Sequence, residues 1–434
     1  MNPLYREKLN SIEIEVYGGW EEIGGNCIVV KDGDKKIVFD NGIRFSVFRS
    51  IYSGRIEPLG PTEMRSLGVI PDLDVYSNAE SLYISHAHLD HVGLLSSVPP
   101  EVEVVLPSIK IFEDTLFDWY KGSSKWLSYI PPDFSTRLEE AQLLKQDKHN
   151  VISIPVSHSA YPSRAYLYLG KDASIFYSGD LRLEPLAMSI TMGINEAVQK
   201  IGLDKVDIAI VEGTNFDVEV DHFPVTAQMF RESLALSLAT YELVVISIDP
   251  LDLELFVFLT EFAEMFGRRV VVASKRILWM LRHLTELGRI DIVNKVLVAE
   301  ELETPTPVVL ESISLVDDVF RSGNSYVLVI EPIALLDTLR KLRLWRKEIS
   351  FTGSIALLSD PEPREAVKEV EESVVAKWLR MFGFKVYRLR LSGHYYPHDF
   401  TELMRLLKPR RIIPVHTTNP GYMLRLFEKM KNMQ

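Results

Sequence analysis

Cysteine is what this sequence has least of: Cys27 is the one thiol in 434 residues. A single thiol closes no internal disulfide and supplies no cysteine-rich zinc site, and it fits a cytoplasmic chain. Long apolar runs are also missing. No stretch approaches the roughly 18 residues of a membrane span, so no membrane partner is expected. The opening residues Met1-Asn2-Pro3-Leu4-Tyr5-Arg6-Glu7-Lys8 lack the hydrophobic core of a secretory signal. Glycine and proline, 23 each, follow no period, which excludes collagen-like and low-complexity chains. Positive charge is in deficit. Lys and Arg number 48 against 60 Asp and Glu, and the net charge of −12 argues against a protein that coats nucleic acid non-specifically. A nuclease stays open, because metal sites need carboxylates and basic residues can be gathered locally. What remains is globular: 47% hydrophobic and 25% charged residues supply a large core. At roughly 150 residues per domain, two or three domains are expected.

The chain changes texture near residue 214. Before it, short apolar runs read as strands: Ile12 to Val16, Asn26 to Val30, Ile37 to Asp40, Leu82 to Ser85, Val102 to Leu106, Val151 to Val156, Ala165 to Leu169, Ser174 to Tyr177 and Val206 to Val211. Asp32-Gly33-Asp34 marks a hairpin between two of them. Helical spacing falls on Ile109 to Tyr120 and Thr136 to Leu144. After residue 214, helix-like segments alternate with very apolar strands such as Glu242 to Ile248, Arg269 to Ala273 and Tyr326 to Ile330. That alternation predicts an open, mostly parallel α/β sheet. The tail adds a strand, a helix at Asp399 to Leu407, a strand at Arg411 to Val415 and a last helix.

Residues 85–93 carry the chemistry: Ser85-His86-Ala87-His88-Leu89-Asp90-His91-Val92-Gly93. In extended chain His86 and His88 point to one side. Asp90 and His91 follow as the chain turns. This offers two imidazoles to one metal and a carboxylate with an imidazole to a second, a donor set suited to Zn²⁺. A surface histidine cluster is the bland alternative, and this spacing has little purely structural use.

The motif resembles the signature of the metallo-β-lactamase fold, and other residues continue the resemblance in order. Asp40, ending an apolar strand before Asn41-Gly42, is similar to the family's first-motif aspartate, which orients the histidine loop. His158, in Pro155-Val156-Ser157-His158-Ser159, resembles the third-motif ligand. Asp180, in Tyr177-Ser178-Gly179-Asp180, resembles the fourth-motif carboxylate that bridges both metals. The chain then runs on for about 250 residues, far beyond a small lactamase, glyoxalase or lactonase. Val211-Glu212-Gly213-Thr214, Leu391-Ser392-Gly393-His394 and Ile413-Pro414-Val415-His416-Thr417 resemble motifs A, B and C of the β-CASP group, the nucleic-acid-processing branch. Ribonuclease J-like and cleavage/polyadenylation-endonuclease-like proteins are the members most similar to it.

The resemblance implies an αβ/βα metallo-β-lactamase sandwich with an inserted β-CASP α/β domain. Residues 1–213 and 391–434 would form the first domain and 214–390 the insertion. It implies two Zn²⁺ ions, one held by His86, His88 and His158, the other by Asp90, His91 and His416, with Asp180 between them and Asp40 behind the loop. Asp90, His394 and Glu212 would carry catalysis, Glu212 holding His394 as the acid for the leaving oxygen. The substrate would be RNA, because DNA-processing members typically have valine where this chain has His416. The product would carry a 5′-phosphate, from an exonuclease, an endonuclease or both. A homodimer or an RNA-processing complex would be its partner. A catalytically inactive scaffold, a DNA nuclease and a small-molecule hydrolase are the competing readings. The chain departs from ribonuclease J in two places. Thr417-Thr418 follows His416 where Gly-Glu is usual, and the Gly-Ser-Gln-Gly stretch before motif B is missing.

Among the remaining histidines, His149, His222, His283 and His398, only His398 lies near a motif, and a surface role is expected for it. Arg340, Lys341, Arg343, Arg346 and Lys347 around Trp345, with Lys408, Arg410 and Arg411, form a basic strip that could track phosphates or be a solvated face. Cys27 reads as a small buried hydrophobe. Tyr395 and Tyr396 read as packing residues in preference to base-stacking ones.

Overall fold

In a computed structural model the chain is described over residues 2–52, 56–114, 138–216, 225–302, 309–345, 350–360 and 366–432. It folds into two compact units, Met1–His222 with Gly393–Gln434, and Phe223–Ser392.

The first unit holds two sheets. One has seven strands in chain order: β1 (Tyr5–Leu9), β2 (Ile12–Gly18), β3 (Cys27–Asp32), β4 (Lys35–Phe39), β5 (Ser81–Tyr83), β6 (Glu103–Leu106) and β7 (Leu138–Glu140). The first four are antiparallel and the last four run parallel. Asp32 pairs with Lys35 across Gly33-Asp34, so the two-residue hairpin read from the sequence is present. The other sheet has β8 (Val151–Val156), β9 (Ser163–Leu169), β10 (Ser174–Tyr177), β11 (Ile208–Glu212) and, from the tail, β19 (Arg411–Val415), in the order β19-β11-β10-β9-β8.

Period-two alternation builds the sandwich. Tyr166, Tyr168, Ile175, Tyr177, Ile208, Ile210, Ile413 and Val415 face a core shared with Ile14, Val16, Ile28, Val30 and Phe39 of the first sheet. Their neighbours Ala165, Leu167, Phe176, Ala209, Val211 and Ile412 face the other way, into a core roofed by helices Ile194–Lys200, Phe400–Leu407 and Pro420–Lys431. Leu403, Leu407 and Phe427 lie on the inward stripes of those helices. Burial of each such side chain contributes about 1.5–3 kcal/mol, so the tail is fastened by its own core and β19 is held beside β11.

In the second unit β12 (Val244–Ser247), β13 (Arg269–Val272), β14 (Val296–Ala299), β15 (Glu311–Ile313), β16 (Tyr326–Val329), β17 (Ile355–Leu358) and β18 (Lys385–Arg388) make one all-parallel sheet, in the order β15-β14-β13-β16-β12-β17-β18. Helices connect most of them. Three start at side-chain caps, where Thr226, Asp252 and Ser274 accept hydrogen bonds from Met229, Leu255 and Ile277 backbone N–H groups. The parallel α/β expectation holds.

One element differs from its reading. Leu138–Glu140 is an edge strand, not part of a helix. Its apolar spacing is compatible with a helix, but the open edge of β6 pairs with it in parallel, and that tertiary ladder overrides local preference. Of the helix read at Ile109 to Tyr120, Ile109–Asp114 is present and the remainder lies outside the described residues.

Candidate metal centre

Most candidate residues lie at or just beyond the C-terminal end of a strand in the first unit. Asp40 follows β4, His86 and His88 follow β5, His158 follows β8, Asp180 follows β10, Glu212 ends β11 and His416 follows β19. Asp90 and His91 sit on a single helical turn, Leu89–Val92. His394 comes after Gly393, in the tail of the same unit. Asp40 and His416 both have positive φ, 59° and 53°. Left-handed backbone costs a side-chain-bearing residue about 1–2 kcal/mol, so both are held in strained conformations by their surroundings.

The donor atoms converge. His88 Nδ1 lies 3.1 Å from His86 Nε2 and 3.2 Å from His158 Nε2. His416 Nε2 lies 3.2 Å from Asp90 Oδ2. Asp180 Oδ2 stands between the two sets, 3.1 Å from His91 Nε2, 3.6 Å from His416 Nε2, 3.7 Å from His158 Nε2 and 3.8 Å from His86 Nε2. Three groups have donor atoms close enough to share a cation: His86 with His88 and His158, His86 with His91 and Asp180, and Asp90 with His91 and His416.

These residues fit divalent cations on three observations. Nitrogen donors around a tetrahedral zinc, at about 2.0–2.1 Å from it, stand about 3.3–3.4 Å apart, close to the spacing in the first triad. His158 Nδ1 donates to the Gly393 carbonyl at 2.6 Å, so its Nε2 carries a lone pair, and one His88 hydrogen at most must serve two close nitrogens. A cation serves all three lone pairs at once. His91 Nε2 and Asp180 Oδ1 are buried without a hydrogen-bond partner, which in a native core calls for an explanation.

The support behind these donors is dense. Asp40 accepts from Ser85 N at 2.7 Å and Ser85 Oγ at 2.8 Å, from His91 Nδ1 at 2.7 Å, and from the Tyr177 hydroxyl. It thus turns His91 Nε2 toward Asp180. Glu212 accepts from Thr214 N and Thr214 Oγ1, each at 2.9 Å, from His394 Nδ1 at 3.1 Å and from Leu181 N at 3.4 Å. A fourth cation-sized group joins Asp180, Glu212, His394 and His416. Its Glu212 lone pairs are already taken by these four donors, which leaves the other groups as the better cation sites.

Charge follows the geometry. Burial and the neighbouring imidazoles push His86 well below the usual imidazole range, and burial with His394 does the same to His158. Burial works against the charge on His91, but Asp180 and Asp40 outweigh it and raise His91 well above that range. His416 is raised against burial by Asp180 and its hydrogen bond with Asp90. The two carboxylates are lowered against burial: Asp90 by His416 and His91, Asp180 by His416, His91 and His394.

Other expectations resolve locally. His398 is 57% exposed beside Asp399 and stacks on Tyr396. Tyr395 is buried against Phe216, its hydroxyl bonded to the Glu212 carbonyl. Cys27 is fully buried, and burial pushes its thiol up. In the basic strip Lys408 pairs with Asp204, Arg411 with Glu7 and Arg340 with Asp337, while Arg346 and Lys347 and the side chains of Arg343 and Trp345 lie outside the described residues. Residues that sequence reasoning passed over are Ser85, Tyr177 and Thr214, which touch the site through hydroxyls, and Gly24, where a Cβ would lie 2.6 Å from Asp90 Oδ2. Ser85, Tyr177 and Thr214 stand within the sequence motifs, which is their one sequence signal, and Gly24 has none.

The sandwich, the strand-end donors and the parallel α/β unit define a metallo-β-lactamase fold of the β-CASP type. Relatives over nearly the whole chain are ribonucleases J. That of Pyrococcus abyssi is 23% identical, with 94% of this chain and 90% of the relative covered. That of Methanocaldococcus jannaschii is 20% identical, covering 93% and 91%. That of Mycobacterium tuberculosis is 22% identical, covering 94% and 69%. A solved structure, described as a protein of unknown function from Enterococcus faecalis V583, matches with a TM-score of 0.65 at 22% identity over 94% of both chains and shares the fold. No family model matches the chain. Among the described residues no helix is long and apolar enough to cross a membrane.

Proposed function

We propose that this chain is a zinc-dependent ribonuclease that hydrolyses RNA phosphodiesters to leave 5′-phosphates, acting in cytoplasmic RNA processing or decay, with the unit Phe223–Ser392 as its β-CASP insertion. The observation that carries the reading is Asp180 Oδ2 standing within 3.8 Å of imidazoles from both donor sets. The ribonuclease J relatives supply the substrate class.

His86, His88 and His158 would hold one ion and Asp90, His91 and His416 the other, with Asp180 shared. When bound, such ions supply positive charge for the phosphate oxygens and acidify a water at near-neutral pH. The remaining work falls to the chain. Asp40 fixes the ring of His91, and the Gly393 carbonyl fixes that of His158. His394 presents Nδ1 to Glu212, so proton exchange with the leaving oxygen falls to Nε2. The Glu212 carboxylate holds the imidazole in the orientation that donation requires. Water would add at phosphorus as the P–O3′ bond breaks, the 3′ oxygen taking the proton from His394 Nε2, so that the phosphate stays on the 5′ side.

The test is cleavage of 5′-labelled RNA, bearing a monophosphate or a triphosphate, by chelator-treated protein with and without added Zn²⁺. Zinc-restored cleavage to 5′-phosphate products is expected. Released mononucleotides with a monophosphate preference mark a 5′ exonuclease, and discrete fragments mark an endonuclease. Intact RNA with two ions bound overturns the reading in favour of an inactive scaffold.

A further inference from the structure

The hydroxyl of Thr214 has three polar neighbours. Glu212 Oε2 lies at 2.9 Å, His416 Nδ1 at 2.7 Å and His394 Nδ1 at 3.0 Å. A threonine hydroxyl offers one hydrogen and two lone pairs, so these three use its whole capacity. The assignment follows from the partners. A carboxylate only accepts, so the hydroxyl hydrogen goes to Glu212. Both imidazoles must then present Nδ1–H here, His416 donating to Oγ1 and His394 sharing its one hydrogen between Oγ1 and Glu212 Oε1 at 3.1 Å. Their Nε2 atoms are reserved as a result: that of His416 faces Asp90 and Asp180, and that of His394 stays for proton exchange.

The hydroxyl has little freedom to do otherwise. Thr214 is buried, and its own N–H is bonded to the same Glu212 oxygen at 2.9 Å. The residue before it, Gly213, is pressed against the His416 loop and the last helix. A Cβ there would come within 2.2 Å of Met423 Sδ and 3.0 Å of Thr417 Cβ. The turn Thr214–Phe216 is further tied to the tail, where Asn215 Nδ2 donates to the carbonyls of His394 and Tyr395 at 3.2 and 3.0 Å.

We propose that Thr214 is a positioning residue that couples the His416 cation site to the His394 acid. One carboxylate, relayed through one hydroxyl, sets the same tautomer on a metal-binding imidazole and a proton-donating one. The His394 half rests on the ribonuclease reading above. The His416 half rests on the donor geometry alone.

The experiment uses the full chain and two replacements. Thr214→Val keeps the volume and removes the hydroxyl, and Thr214→Ser keeps the hydroxyl and removes the methyl. Zinc affinity is read by competition with a chromophoric chelator. Thr214→Val is expected to weaken one of two ions by about 10–100-fold, the usual effect of losing a ligand's hydrogen-bond partner, and to leave the other unchanged. Thr214→Ser is expected to stay within about 3-fold of the parent for both ions. RNA cleavage by Thr214→Val is expected to fall, with partial recovery on RNA carrying a 3′-bridging thiolate at the scissile bond, the leaving atom when the product keeps a 5′-phosphate, which needs little protonation. Thr214→Ala is a second hydroxyl-free variant for the case that valine does not fold, with the same expectations. Parent-like zinc affinity in the hydroxyl-free variants overturns the proposal. So does Thr214→Ser behaving like Thr214→Val, which would assign the role to the methyl. A parent protein that binds two zinc ions and leaves RNA intact sinks the ribonuclease reading instead, and the chelator competition still decides the case of Thr214.

Discussion

Both units place polar residues at the C-terminal ends of strands, yet they treat them differently. In the parallel sheet of the second unit most of the polar groups close on one another, the buried Ser359 Oγ being an exception. Ser247 bonds Asp360, Ser274 bonds Glu331 and Arg388 pairs with Glu372. In the first unit the strand ends bring lone pairs face to face. His86, His88 and His158 converge, His91 Nε2 and Asp180 Oδ1 stay without hydrogen bonds, and Asp180 meets imidazoles from both sides. A closed polar network is structure that happens to be polar. An open one at the same topological position is a set of donors that could hold a cation.

Breaking the open network at its centre should have the largest effect. Asp180→Asn removes the charge shared by both donor sets, so both ions should weaken in elemental analysis after dialysis, and RNA cleavage should fall by at least about 10⁴-fold, near the background left when a catalytic unit is lost. Two ions retained in the Asp180→Asn protein would show that Asp180 is not their shared ligand.

Removing the acid alone should do less. His394→Ala is expected to keep both ions and lose about 10²–10⁴-fold in cleavage. Glu212→Gln should lose less, and the double variant no more than the worse single one, because both act on a single proton transfer. A 3′-bridging thiolate, the leaving atom of this reaction, should largely rescue His394→Ala. Loss of an ion in that variant would instead make His394 a ligand.

A pH series separates the two donor sets. His91 and His416 have raised pKa values, so in the metal-free protein they hold protons that a cation must displace. His86 and His158 are lowered and are already neutral near pH 7. Affinity at the Asp90/His91/His416 position should therefore rise with pH and be lost first on acidification, with proton release in calorimetry run in two buffers. Equal pH dependence of both ions would contradict these proton assignments.

The smallest effect belongs to the closed network. Ser274→Ala removes a helix cap and the bond to Glu331. It should cost about 1 kcal/mol in denaturant unfolding and leave metal content unchanged. A lost ion would erase the contrast between the units.

The legible part of the site was local. The order His86-Ala87-His88-Leu89-Asp90-His91 concentrates donors within one turn of chain, and strand ends at Asp40, His158 and Asp180 could be read from apolar runs stopping at a polar residue. The runs Ala165 to Leu169 and Ser174 to Tyr177 marked strands in the same way, while the sandwich they belong to came from the resemblance. These features depend on spacings of two to four residues, which backbone geometry translates directly into direction. What local spacing could not supply was partnership across the chain. Glu212 and His394 are 182 positions apart, and only the resemblance to a family paired them before the structure did.

What the sequence determined by itself, then, was the donor inventory, the strand-like runs of the first unit and the parallel sheet of the second, because hydrophobic periodicity and short-range ligand spacing are written in adjacent residues. What only the tertiary structure decided was which donors are oriented and by what. The Asp40 carboxylate behind His91, the Gly393 carbonyl under His158, the Thr214 hydroxyl between His394 and His416, and β7 drawn from helical spacing into the edge of β6 all depend on groups brought together from distant segments. A hydrogen bond is satisfied within a few tenths of an ångström, and that tolerance is set by the packing of the whole core.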